Sequence, residues 1–193
     1  MARTKEFDPD VALQGALELF WERGYEATSM ADLVEHLGIS RASLYATFGG
    51  KHDLYMKALR RYVDSRDPSP IEVLSRPGPA LAAVRALVEH YAADSVDDTR
   101  RRGCMVVNAA AEMLPRDDEV SRLLNVQWTS LEAALTTTLM RARAQGELRP
   151  EKDPAALARF LLVFLQGLRL MGKGDADPVR LRDAATQALS ILD

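Results

Sequence analysis

The chain has 193 residues, 47% of them hydrophobic, enough for one or two domains that bury a core without disulfides or metals. A formal net charge of −3 and an ordinary apolar share exclude a disordered polyelectrolyte, and the single cysteine, Cys104, excludes an intrachain disulfide and a multi-cysteine zinc site and fits a reducing compartment. The longest strongly apolar run, Phe160 to Leu165, falls well short of the roughly 20 residues of a membrane span, and Met1 to Asp8 is charged and lacks an apolar stretch, so a cytoplasmic protein without a membrane partner is expected.

The fold class expected is all-α. Alanine and leucine number 28 and 27, whereas valine and isoleucine together number 16, and no hairpin dipeptide or sustained alternation occurs. In chain order, Asp8-Pro9 opens the first helix, with Leu13, Ala16, Leu17, Phe20 and Trp21 at helical spacing and Gly24 as its stop. Thr28 or Ser29 opens a second, with Met30, Leu33, Val34 and Leu37 on one face and Gly38 at its end. Ser40 caps a third that buries Leu44 and Phe48 and stops at Gly49-Gly50, and a fourth runs from Lys51 to about Arg66.

Four of the nine prolines, Pro68, Pro70, Pro77 and Pro79, then mark a boundary, with room for one short helical turn at 71–74. Beyond it the pattern predicts helices over 80–95, 103–113, 118–145, 154–171 and 178–192. The expected domains are therefore 6–66, a linker at 67–79, and 80–193.

Residues 28–51 carry the functional signal, with the helix-turn-helix at about 29–48. Two short helices joined by a glycine turn, Leu37-Gly38-Ile39, form a helix-turn-helix, in which the first helix braces the second for the DNA major groove. On the second helix Arg41 and Tyr45 share the face opposite Leu44 and Phe48, with Ser43 and Thr47 nearby. A guanidinium, a phenol and hydroxyls suit phosphate oxygens and base edges. Lys51 lies at a helix start, where free amides already favour an anion. Residues 36–62 hold Arg41, Lys51, Lys57, Arg60 and Arg61 against Asp53 alone, a local basic footprint in an acidic chain.

The segments Leu17-Glu-Leu-Phe20, Gly24-Tyr-Glu-Ala-Thr-Ser-Met30 and Gly38-Ile-Ser-Arg-Ala-Ser-Leu-Tyr-Ala-Thr-Phe-Gly-Gly-Lys51 resemble the DNA-binding domain of the TetR family of transcriptional regulators over roughly 6–66. The resemblance implies a homodimer, double-stranded DNA as partner, and a helical ligand-binding and dimerisation domain whose last two long helices form the dimer. Carried onto this chain, it implies DNA contacts at Thr28, Ser29, Arg41, Ala42, Ser43, Tyr45, Thr47 and Lys51. A repressor of a palindromic operator, released by a small-molecule effector, is the expected function.

For the effector domain, Tyr91, Cys104, Met105, Asn108, Trp128, Phe164 and Gln166 are the candidate pocket residues, the amides because buried amides need partners. Gly103-Cys104 followed by Asn108 resembles the N-ethylmaleimide-repressor type of the family, which implies a thiol sensor at Cys104 as an alternative, with Arg101, Arg102 and a helix start at Gly103 favouring the thiolate. A helical protein-interaction module without DNA function is the alternative from another class. No phosphate loop, nucleophile elbow or metal-binding His-Glu-x-x-His occurs, so no enzyme activity, cofactor or metal is expected.

Overall fold

The computed structural model describes residues 7–66, 68–98, 100–174 and 177–193. The expected starts of the first domain at residue 6 and of the linker at residue 67 lie outside the described residues. Every regular element among those residues is an α-helix: α1 (Pro9–Arg23), α2 (Met30–Leu37), α3 (Arg41–Phe48), α4 (Lys51–Asp64), α5 (Pro70–Leu74), α6 (Ala80–Asp97), α7 (Met105–Met113), α8 (Asp118–Ala144), α9 (Pro154–Lys173) and α10 (Pro178–Ser190). The boundaries follow from local chemistry. Asp8, Asp153 and Asp177 each accept an amide two residues on while proline fills the first helical position, where a missing N–H costs nothing. Ser29 and Asp32 form a reciprocal capping box at α2, and Ser40 accepts the Ser43 N–H at 3.1 Å at α3. Gly38 ends α2 in the left-handed conformation (φ 63°), the short turn that lets α3 follow at once.

The chain forms two compact units. The first takes the described residues up to Arg66 together with Asn108–Val120; the second takes the described residues of 67–107 together with Ser121–Asp193. The first unit therefore draws on a segment far along the chain, so α7 begins in one unit and ends in the other. In the first unit Leu17, Phe20, Leu33, Leu44, Leu54 and Leu59 are buried. Phe20 and Tyr55 meet edge to face at 5.1 Å, and Trp21 meets Tyr62 at 4.9 Å, so α1 and α4 lock together through aromatic pairs.

In the second unit one core joins Val84, Leu87, Val88 and Tyr91 of α6, Leu131, Leu135 and Leu139 of α8, Leu161, Leu165 and Leu168 of α9, and Leu181 and Leu189 of α10. The α6–α9 crossing is close at Gly172, where a Cβ would fall 2.7 Å from the Ser95 Cβ. By length and composition α9 could cross a membrane, yet one of its faces belongs to this core. The apolar residues of α9 divide between two faces. Leu161, Leu165 and Leu168 point inward, whereas Phe160, Val163, Leu170 and Met171 are exposed, Val163 by 72%. On α10, Ala185, Ala188 and Leu189 are buried within their own unit, as is Leu192 beyond its end.

Candidate nucleic-acid interface

α3 separates its residues cleanly. Leu44 and Phe48 are 0% and 4% exposed, and the opposite face leaves Arg41, Ala42, Tyr45 and Ala46 in solvent, with Ser43 and Thr47 half-buried beside them. The Arg41 guanidinium carbon lies 5.7 Å from the Tyr45 ring centroid, an (i, i+4) cation–π pair that orients both side chains outward. The Ser40 and Ser43 hydroxyls share a 2.9 Å hydrogen bond, so the start of α3 presents two polar oxygens on one edge. Ser29 is exposed too, at the head of α2, although its hydroxyl already donates to the Asp32 carboxylate. Hydrogen bonding from Ser29 holds the Asp32 carboxyl below the usual carboxylate range.

Lys51 stands at the first position of α4, its ammonium 4.2 Å from the centroid of the Tyr25 ring. Tyr25 lies in the α1–α2 turn and is framed by Phe20 at 6.3 Å, Tyr55 at 5.0 Å and His52 at 6.2 Å. Burial, with the charges of Glu26, Asp117 and Asp53, raises its phenol, which therefore stays neutral under the lysine.

Thr28 departs from the sequence reading. Its side chain is fully buried and its hydroxyl donates to the Gly24 carbonyl at 2.7 Å, so it braces the α1–α2 turn and does not offer a hydroxyl to DNA. The basic footprint is also narrower than the charge pattern implies. Lys57 donates to the Phe48 carbonyl, Arg60 pairs with Glu119 at 2.7 Å, and Arg61 reaches both the backbone oxygen and the carboxylate of Asp10. Of the five cations, Arg41 and Lys51 have neither an acid nor a backbone-carbonyl partner among the described residues, whereas Lys57, Arg60 and Arg61 are engaged.

Two residues that motif reading left without a role contribute here. Tyr25 belongs to the Gly-Tyr motif but was not assigned to hold a cation. Glu112, on α7, accepts the backbone N–H groups of Tyr25 and Glu26 at 2.9 and 2.7 Å. No local pattern could have revealed a partner 86 residues away. The same distal segment also meets α4. The Asp117 carboxylate lies 2.7 Å from the His52 ring nitrogen. Burial raises the Asp117 carboxyl, but the Val120 amide and His52 outweigh it and hold it below its usual range.

The candidate effector residues fall in both units. Asn108 falls in the first unit, whereas Tyr91, Cys104, Met105, Trp128, Phe164 and Gln166 fall in the second. Tyr91 is part of the core and Phe164 packs against it, stacked on Phe160 at 6.1 Å; Gln166 is half-buried on α9. The Trp128 indole N–H is buried and has no hydrogen-bond partner among the described residues. Met105 and Cys104 are 1% and 6% exposed. The helix expected to start at Gly103 starts at Met105, and the Gly103 N–H is taken by the Asp98 carboxylate at 2.6 Å. The thiol stands immediately before the first residue of α7 but lacks the exposure that the sensor reading required.

Comparison with known proteins decides the family. Residues 12–58 match the bacterial regulatory proteins, tetR family, and residues 80–188 match the tetracyclin repressor-like C-terminal domain. The chain belongs to the TetR family. It is 40% identical over the full length of both chains to the HTH-type transcriptional regulator YezE of Bacillus subtilis (strain 168). It is 32% identical to the HTH-type transcriptional repressor ComR of Escherichia coli (strain K12), covering 98% of this chain and 90% of that protein. Its fold matches a cysteine-substituted form of the TetR family transcriptional regulator CifR, solved with a 26-bp double-stranded operator DNA, at a TM-score of 0.86 and 32% identity, with both chains fully covered. This TetR-family chain is thus a DNA-binding transcriptional regulator, in a family of regulators and not of enzymes. The thiol-sensor and protein-interaction readings are not favoured.

Proposed function

We propose that the protein is a cytoplasmic, dimeric repressor that lays α3 into the major groove of a palindromic operator and is released by a small-molecule effector bound in its second unit. The observation that carries the DNA reading is the two-sided character of α3: apolar Leu44 and Phe48 inward, Arg41, Ala42 and Tyr45 outward, with Lys51 beside them. Arg41 is suited to a guanine edge or a phosphate; Tyr45, Ser43 and Thr47 are suited to phosphate oxygens and adjacent bases; Ser29 and Lys51 are suited to flanking phosphates. ComR is named a repressor, and CifR was solved on operator DNA, which supports the same role here.

Release follows from geometry. A dimer fits two half-sites only when its recognition helices stand about one turn of DNA, roughly 34 Å, apart. A ligand with greater affinity for another spacing shifts the population away from the bound form. The buried, unpaired indole N–H of Trp128 favours a ligand carrying a hydrogen-bond acceptor. The exposed apolar row Phe160, Val163, Leu170 and Met171 on α9 supports a dimer formed through that helix.

The test uses a duplex recovered by the wild-type protein from a random-sequence pool. Tyr45→Phe and Lys51→Ala are expected to weaken binding without changing the melting temperature, and Lys51→Ala to lower the salt slope by about one phosphate contact. Unchanged affinity and slope for Lys51→Ala would show that α3 and α4 do not meet DNA as proposed.

A further inference from the structure

We infer that Glu112 of α7 positions Lys51 for its DNA contact, acting through Tyr25. The inference rests on the reading that Lys51 meets operator phosphate, and it adds a residue outside the helix-turn-helix to the DNA-binding apparatus.

The connection is continuous and short. Each Glu112 carboxylate oxygen accepts one backbone amide of the α1–α2 turn, Glu26 at 2.7 Å and Tyr25 at 2.9 Å. Hydrogen bonds to an ionised acceptor are about twice as strong as neutral ones, and two on adjacent residues fix the turn's orientation as well as its position. Gly24, at φ 87°, makes the approach possible, because a Cβ there would lie 3.0 Å from both carboxylate oxygens. Within the turn, the buried Thr28 hydroxyl holds the Gly24 carbonyl.

Tyr25 is therefore anchored at its backbone by Glu112 and at its ring by Phe20, Tyr55 and His52. Its ring in turn carries the Lys51 ammonium at 4.2 Å. A lysine has many rotamers, and confining it before DNA arrives removes an ordering cost from binding. The segment that holds Tyr25 also holds the helix bearing Lys51, through Asp117 on His52 and Glu119 on Arg60. Both supports of Lys51 thus come from 112–119.

The experiment measures affinity and salt slope of the full-length protein on the pool-selected duplex, with melting curves confirming that each variant folds. Glu112→Gln is expected to weaken binding about three- to tenfold and to lower the salt slope toward that of Lys51→Ala. Adding Lys51→Ala to Glu112→Gln is expected to cost little more, since coupled residues are non-additive. Tyr25→Leu is expected to reproduce the loss, and Tyr25→Phe, which keeps the ring face, to restore it. A folded Glu112→Gln with wild-type affinity and slope overturns the inference, as does full additivity with Lys51→Ala. If Glu112→Gln does not fold, the Tyr25 pair decides: equal affinity for Leu and Phe overturns it. Wild-type binding by Lys51→Ala alone overturns the DNA-face reading itself, which separates that failure from the loss of the Glu112 role.

Discussion

The Lys57 ammonium donates to the Phe48 carbonyl oxygen at 2.9 Å, so a cation of α4 closes the C-terminal end of the recognition helix. Unsatisfied carbonyls and the helix dipole make that end negative, and a lysine there is stabilising. Lys57→Met is therefore expected to lower stability by about 0.5–1 kcal/mol while leaving the salt slope of DNA binding unchanged. Urea denaturation and a salt titration check it together; a slope reduced by a full contact would return Lys57 to the DNA face.

Leu44 and Ala46, two residues apart on α3, should respond to substitution in opposite ways. Leu44 is fully buried, and Leu44→Ala is expected to cost about 2–5 kcal/mol through lost burial and the cavity left behind. Ala46 is exposed, and Ala46→Arg is expected to leave stability within about 0.5 kcal/mol while changing which duplex is recovered from a random pool. Denaturant midpoints and pool selection read the two effects.

Asp117 gives stability a defined pH dependence. Its carboxyl is held below the usual range when folded, against the pull of burial, by the Val120 amide and His52. The resulting stabilisation is complete above the ordinary aspartate value of about 3.9 and disappears as pH falls through the lower folded value. Asp117→Asn is thus expected to be less stable than wild type at neutral pH, with the gap closing in acid. Unfolding curves collected from pH 7 to 3 test this, and a constant gap would contradict it.

The exposed side of α9 should govern self-association. Val163 is 72% exposed amid Phe160, Leu170 and Met171. If that row is covered by a second copy, Val163→Glu buries an unpaired carboxylate at a cost of several kcal/mol, equivalent to at least about a hundredfold weaker dimerisation. Light scattering should then report a monomer where wild type is a dimer, and operator binding should weaken with it. A wild-type mass for Val163→Glu would place the interface elsewhere.

Much of this protein is determined locally. Caps at Asp8, Ser29, Ser40, Asp153 and Asp177, stops at Gly24 and Gly38, and apolar spacing set by the helical period placed α1, α2, α3, α4 and the later helices within a few residues, because those signals act over one or two turns. The outward Arg41 and Tyr45 were legible for the same reason. What sequence could not decide was which cations are already engaged and which apolar faces are already covered. Thr28 is a hydroxyl by sequence and a buried turn brace by packing; Lys57, Arg60 and Arg61 form a basic run by sequence and are engaged with Phe48, Glu119 and Asp10 in the fold. The apolar residues of α9 divide between two faces only once the second unit's core takes Leu161, Leu165 and Leu168 and leaves Phe160 and Val163 outside. Glu112 reaches Tyr25 across 87 residues of chain. Each of these depends on a contact between residues distant in sequence, and periodicity and capping, which report only neighbours within a few positions, carry no information about it.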